Sequence, residues 1–130
     1  MVFYGEYEVA ITSGGRIALP KKVRDLLTDK TLVLTKGFSQ CLAGYDKGDW
    51  ETRAQNLLDV SLLEKENIDK RRMLFGSTVY LETDDQGRVV LPKQLRDFAG
   101  LKKKIIVVGV GDHFEIWHPE RWQLYLNNIQ

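Results

Sequence analysis

The spacing of apolar positions along this chain changes period several times, and the changes arrive in two matching series. Tyr7, Val9 and Ile11 alternate with Glu6, Glu8 and Ala10, the period-two pattern of a half-buried strand. A turn is predicted at Ser13-Gly14-Gly15, where glycine tolerates positive φ, and residues 16–19 then return as a short strand. Pro20 suits the first position of a helix, where its missing N–H leaves nothing unpaired, and Leu19, Val23, Leu26 and Leu27 give that helix an apolar stripe. Leu32 to Leu34 is an apolar β run, and residues 41–45 can pair with it across a turn at 36–40. Trp50, Ala54, Leu57 and Leu58 then recur at helical spacing.

The second series has the same order. Val79 and Leu81 alternate into a turn at Asp85-Gln86-Gly87, and residues 89–91 return. Pro92 opens a helix whose apolar side is Leu91, Leu95, Phe98 and Ala99, with Gly100 as its C-terminal stop. Ile105 to Val108 is a continuous β-branched run, the mark of a strand covered on both faces, and residues 114–117 form its hairpin partner across Gly111-Asp112. Trp122, Tyr125, Leu126 and Ile129 fall at i, i+3, i+4 and i+7 of a closing helix. Residues 59–75 have no counterpart and read as a connecting helix, in which Ile68, Arg71, Arg72 and Phe75 lie among many charges.

Aligned, the two series are one segment written twice. Gly15-Arg16-Ile17-Ala18-Leu19-Pro20-Lys21-Lys22-Val23-Arg24-Asp25 returns 72 residues later as Gly87-Arg88-Val89-Val90-Leu91-Pro92-Lys93-Gln94-Leu95-Arg96-Asp97. The register holds without a gap from Thr12/Asp84 to Trp50/Trp122, matching Lys30 to Lys102 and Gly37 to Gly109. Such a repeat implies an internal pseudo-twofold and two equivalent working surfaces, each a turn that ends in arginine.

With 130 residues, 43% of them hydrophobic, the halves form one compact body around a shared core. No apolar run is long enough to span a bilayer, and the N-terminus lacks the pattern of a secretory signal. Cys41 is the single cysteine, so an intramolecular disulfide is excluded; it fits a reducing cytoplasm and reads as a buried small hydrophobe. The net charge of +1 excludes a uniformly basic surface, but nucleic-acid binding depends on where charge lies. Residues 12–27 set Arg16, Lys21, Lys22 and Arg24 against Asp25, a local +3, whereas residues 84–99 balance Arg88, Lys93 and Arg96 against Asp84, Asp85 and Asp97. Affinity per site is therefore expected to be modest, and a useful binder would engage several sites at once.

The arginine turn is the strongest chemical signal. Asp84-Asp85-Gln86-Gly87-Arg88 gives an Asp-x-x-x-Arg spacing in which the aspartate can accept turn N–H bonds and hold the loop in shape. An arginine on a rigid β-hairpin suits DNA, because a two-stranded ribbon fits the major groove and a guanidinium can take phosphate or guanine O6 and N7. A solvated charge on an ordinary turn is the plainer reading, and repetition at one offset argues against it. Lys21, Lys22, Arg24, Lys93 and Arg96 follow the turns on short helices, where they can hold phosphates or simply face solvent. Lys102-Lys103-Lys104 reads as solvated. His113 and His118 lie five apart across a strand, which turns them to opposite sides, and no cysteine accompanies them, so no metal site is expected. No nucleophile–base pair or nucleotide loop is present, which leaves no case for an enzyme or a cofactor. Trp50 and Trp122 are read as core anchors.

Taken together, these residues resemble the MraZ family of bacterial transcriptional regulators, linked to the division and cell-wall gene cluster. The resemblance covers essentially the whole chain: Gly5-Glu6-Tyr7-Glu8, two Gly-Arg-x-x-x-Pro units, residues 107–111 with 115–117, and Glu120-Arg121-Trp122. It implies an α+β fold of two tandem AbrB-type swapped-hairpin, β-barrel-like units that form an intramolecular pseudo-dimer with flanking helices. The units would span 1–58 and 76–130, joined by a helical connector at 59–75. It also implies a ring-shaped homo-oligomer in the cytoplasm, associated with the nucleoid, that represses transcription by binding direct repeats in double-stranded DNA. Asp84 and Arg88 match the family's Asp-x-x-x-Arg loop, with Gly87 in its turn; Arg16 and Gly15 match its arginine and glycine, but Thr12 replaces the aspartate. The alternatives are a protein-interaction scaffold, or an AbrB-type regulator or antitoxin with other targets. A disordered tail for wrapping a toxin is not evident in the sequence.

Overall fold

The computed structural model describes residues 1–59 and 64–130. Strand β1 (Glu6–Ala10) leads through the first arginine turn to β2 (Arg16–Ala18) and helix α1 (Lys21–Arg24). A hairpin of β3 (Thr31–Lys36) and β4 (Leu42–Asp46) follows, then α2 (Lys47–Leu58) and α3 (Lys65–Ser77). The second half repeats the order as β5 (Val79–Glu82), β6 (Arg88–Val90), α4 (Lys93–Ala99), β7 (Lys104–Gly109), β8 (Phe114–Trp117) and α5 (Pro119–Ile129). Of the connector expected at 59–75, residues 60–63 lie outside the described residues, and the helix beyond them runs to Ser77.

The halves exchange their first strands. The main sheet has six strands in the order β1-β7-β8-β4-β3-β5, every neighbour antiparallel. Strand β1 of the first half pairs with β7 of the second, and β5 of the second pairs with β3 of the first. Strands β2 and β6 leave this sheet and pair with each other as a separate two-stranded ribbon. The segments flanking each arginine turn therefore do not form a hairpin, as the sequence suggested. They close only at Thr12/Arg16 and Asp84/Arg88 before diverging into different sheets.

Strand alternation explains the layers. Leu32, Leu34, Leu42, Ile105, Val107, Phe114 and Ile116 point to one face of the sheet and bury themselves against Ile17 and Val89 of the ribbon and Val23 and Leu95 of α1 and α4. The opposite face carries Cys41, Val108 and Trp117 under the helical layer, where Trp117 lies 5.2 Å from both Trp122 and Tyr125. Trp50 is buried, as expected of an anchor, whereas Leu58 and Ile129 are exposed although the helical spacing placed them inward. His118 caps α5, its Nδ1 accepting from the Glu120 N–H at 3.1 Å. Burial pushes the Cys41 thiol up to about 12, which fits its reading as an inert core residue.

One spatial correspondence departs from the uniform spacing of the sequence. Val9 faces Ile105 and Leu81 faces Leu32, so the exchanged strands match at 72 while β3 and β7 match at 73. The extra step lies in the preceding segment. Helix α4 runs to Ala99 and stops at left-handed Gly100. Helix α1 ends at Arg24, and Leu26 and Leu27 reach the core from the turn beyond it. There the buried Asp46 carboxylate holds Thr28 by its N–H at 2.6 Å and its hydroxyl at 3.1 Å, and Asp29 and Lys30 take the left-handed conformation. The following hairpin loop is one residue longer in the first half, which restores the register.

Gly44 lies at the β4–β8 pair where the halves meet, opposite Phe114. A Cβ there would come within 2.8 Å of Cε1 and closer still to other atoms of a ring that has no exposed surface. Gly44→Ala is expected to lower stability by about 1–3 kcal/mol through overpacking, read as a fall in the urea midpoint.

Candidate nucleic-acid interface

The β2–β6 ribbon gathers the two arginines. Arg16 pairs with Val90, Ile17 with Val89 and Ala18 with Arg88. Ile17 and Val89 enter the core, so alternation turns Arg16, Ala18, Arg88 and Val90 to the outer face. Two strand residues and one strand spacing separate the arginines, roughly 8 Å at Cα. The repeat predicts two equivalent surfaces; the ribbon sets both arginines on one face, shared by both halves.

The two turns hold their arginines differently. Asp84 Oδ1 accepts from the Gln86 N–H at 2.9 Å and the Arg88 N–H at 2.8 Å, and Arg88 Nε donates to Oδ2 at 2.9 Å. The Arg88 N–H does most to hold the Asp84 carboxyl below the ordinary aspartate range, joined by the Arg88 guanidinium and the Gln86 N–H. In the first turn Thr12 donates its hydroxyl to the Arg16 carbonyl at 3.2 Å, and a threonine offers the Arg16 guanidinium no carboxylate at the position Asp84 fills in the second. Gly15 and Gly87 have φ of 80° and 75°, the conformation that lets both turns close.

The other basic candidates divide. Lys21 and Lys93 are exposed and pair within their helices with Asp25 at 2.6 Å and Asp97 at 2.7 Å. Lys22 is exposed, its ammonium 5.3 Å from the centre of the Tyr4 ring. Arg24 and Arg96 are half-buried, and each reaches towards the other half. Arg24 Nη1 donates to the Gln86 carbonyl at 3.0 Å, while Arg96 lies against Gly15 and donates through Nε to the Leu91 carbonyl at 3.0 Å. Lys30, which the sequence marked only as a repeat match, meets Asp85 at 3.3 Å. The contacts of Arg24 with Gln86, Arg96 with Gly15 and Lys30 with Asp85 cross between repeats, and no local spacing signals them.

The Asp84 clamp has a defined pH range. A carboxyl whose folded pKa is depressed adds stability that is present above its unfolded value, about 3.9, and is lost as pH falls through the lower folded value. Slow exchange and a shifted resonance for the Arg88 N–H are expected to persist through the ordinary aspartate range and to disappear only as pH falls through the lower folded value. Asp84→Ala should remove both features at every pH, as NMR titration would read.

Among the described residues no group of His, Cys, Asp and Glu is arranged to hold a metal ion, and no helix is long and apolar enough to cross a membrane. The family model described as "MraZ protein, putative antitoxin-like" matches this chain in two consecutive segments, residues 2–73 and 74–130. A protein named transcriptional regulator MraZ from Roseiflexus castenholzii is 40% identical over 126 residues, covering 97% of this chain and 87% of that one. Its namesake from Lactiplantibacillus plantarum is 39% identical over 95% of this chain and 87% of its own. A third, from Acetivibrio thermocellus, is 34% identical over 95% and 86%. With its strands exchanged between two copies of one unit and both copies matched, the chain belongs to the MraZ family.

Proposed function

We propose that this protein is a sequence-specific DNA-binding transcriptional regulator, acting as a repressor of a division and cell-wall gene cluster. The observation that carries this reading is the outer face of the β2–β6 ribbon, where Arg16 and Arg88 project from one narrow two-stranded surface. A ribbon of this width enters the major groove, and the arginine separation of roughly 8 Å spans two to three base pairs at about 3.4 Å each. Arg16 and Arg88 take guanine edges or phosphates, and Lys21, Lys22 and Lys93 on α1 and α4 fix the backbone on either side. The regulators that resemble this chain in sequence support the same reading. It places the protein in the cytoplasm, with the nucleoid.

One ribbon covers too few base pairs to select a site alone. Several chains joined in a ring, each set on one of a series of direct repeats, multiply modest contacts into a tight complex. Leu124 and Ile129 of α5, exposed at 63% and 61%, offer apolar surface for such an assembly.

Fluorescence anisotropy on the upstream region of its own operon tests the reading against a scrambled duplex. Arg16→Ala/Arg88→Ala is expected to weaken specific binding by roughly thirtyfold or more, and wild-type log affinity to fall with log salt by about 0.9 per phosphate held. Equal, weak binding of both proteins to both duplexes would sink the regulator reading and direct attention to a protein partner. Thr12→Asp should supply the first turn with the clamp that Asp84 provides in the second, tightening binding about three- to fivefold. Unchanged or weaker binding would mean that the first turn is not limited by its looseness.

A further inference from the structure

The second arginine turn is built partly by the first half of the chain. Gln86 turns its carbonyl towards Arg24 Nη1, a 3.0 Å bond spanning 62 residues of sequence. The Arg24 side chain also lies flat against Gly87, so that a Cβ there would stand 2.7 Å from its Cδ. Lys30 adds two more ties: its carbonyl accepts from the Thr83 N–H at 2.9 Å, and its ammonium meets Asp85 at 3.3 Å. The Gly87 carbonyl, finally, accepts from the Leu19 N–H at 3.0 Å.

The first turn receives less from the second half. Gly15 accepts from the Leu91 N–H at 2.9 Å and Ile11 donates to the Lys103 carbonyl at 2.8 Å, repeating two of these ties. Arg96 lies on Gly15 as Arg24 lies on Gly87, but its Nε donates to the Leu91 carbonyl and not to the turn. Ser13, which stands where Asp85 does, has no carboxylate to offer a lysine. Arg24 is therefore the one arginine of this pair that bonds directly to the opposite turn.

We propose that Arg24 is a positioning residue for Arg88: the helix of the first half fixes the turn of the second, so that Arg88 meets DNA already oriented. This rests on the DNA-binding reading above, and it gives Arg24 a task other than holding a phosphate. Asp84 fixes the start of the turn and Arg88, while Arg24 fixes the peptide between them. Removing Arg24 leaves the Gln86 carbonyl without this donor and Gly87 without its cover, and the turn regains conformations that Arg88 must give up on binding.

The test is a double-mutant cycle in the full chain, with amide exchange of the free protein as an independent reading. Arg24→Ala is expected to weaken binding to the upstream duplex roughly three- to tenfold in the wild-type background and less than about twofold when Arg88→Ala is already present. In the absence of DNA it should speed exchange of the Gly87 and Arg88 N–H groups several-fold and leave the Gly15 N–H unchanged. Equal losses in both backgrounds, with the salt slope reduced by about 0.9, would make Arg24 a phosphate contact and overturn the proposal. Unaltered exchange at Gly87 and Arg88 would overturn it as well. If the wild-type protein binds no DNA even at low salt, the regulator reading fails, and the exchange rates still decide whether Arg24 holds the turn. Should Arg24→Ala not fold, Arg24→Met keeps the stem over Gly87, removes the donor and takes its place in the cycle.

Discussion

Hydrogen bonding of β1 to β7 and of β5 to β3 is the constraint from which the rest of the architecture follows. Because each half lends its first strand to the other, the chain must cross between halves just after that strand. The crossing is the arginine turn. The segment after it cannot stay in the main sheet, where its neighbour is already supplied, and so it pairs with its own counterpart as the β2–β6 ribbon. Ile17 and Val89 then close the core from above, and the alternate residues face outward. The position of the arginines is thus a topological result, set by strand exchange more than by any local preference of the Gly-Arg sequence.

Much of this was legible in the residue pattern. Period-two alternation located β1 and β5, continuous apolar runs located β3 and β7, and the repeated Pro after each returning strand marked the starts of α1 and α4 to within a residue, although α1 ends before the Leu26 and Leu27 that its stripe included. The resemblance supplied the exchange, which no spacing within one repeat reveals. What the pattern missed has common causes. A helical stripe shows which side of α5 is apolar but not how much partner surface meets it, so Ile129 was read as buried and is exposed. The one-residue shift between β3 and β7 depends on a buried carboxylate, Asp46, holding Thr28, a pairing between residues 18 apart. At the candidate site, Arg16, Arg88 and Asp84 were visible as a motif, whereas the reach of Arg24 to Gln86 depends on the pseudo-twofold and has no local trace.

The charge distribution on the ribbon follows the same division. The Arg88 guanidinium is paired with Asp84, and Asp85, Asp97 and Asp25 each hold a lysine. Rigid and nearly neutral, the second turn is suited to fixed geometry. Around the first turn, Thr12 stands in place of the clamping aspartate and the local charge is positive, so this turn is suited to attracting a polyanion. Attraction and fixed orientation are thereby assigned to different ends of one surface.

Carrying both strands of the ribbon on a single chain has a geometric consequence. Two identical subunits meeting about a true twofold would present identical turns, and the DNA they fit best would share that symmetry. Here Thr12 stands at one end and Asp84 at the other, so the ribbon has a head and a tail. If the ribbon reads DNA as proposed, reversing it in the groove would exchange a tethered arginine for an untethered one, and the two orientations would not be equivalent. A ribbon with such polarity would have no need of a palindrome.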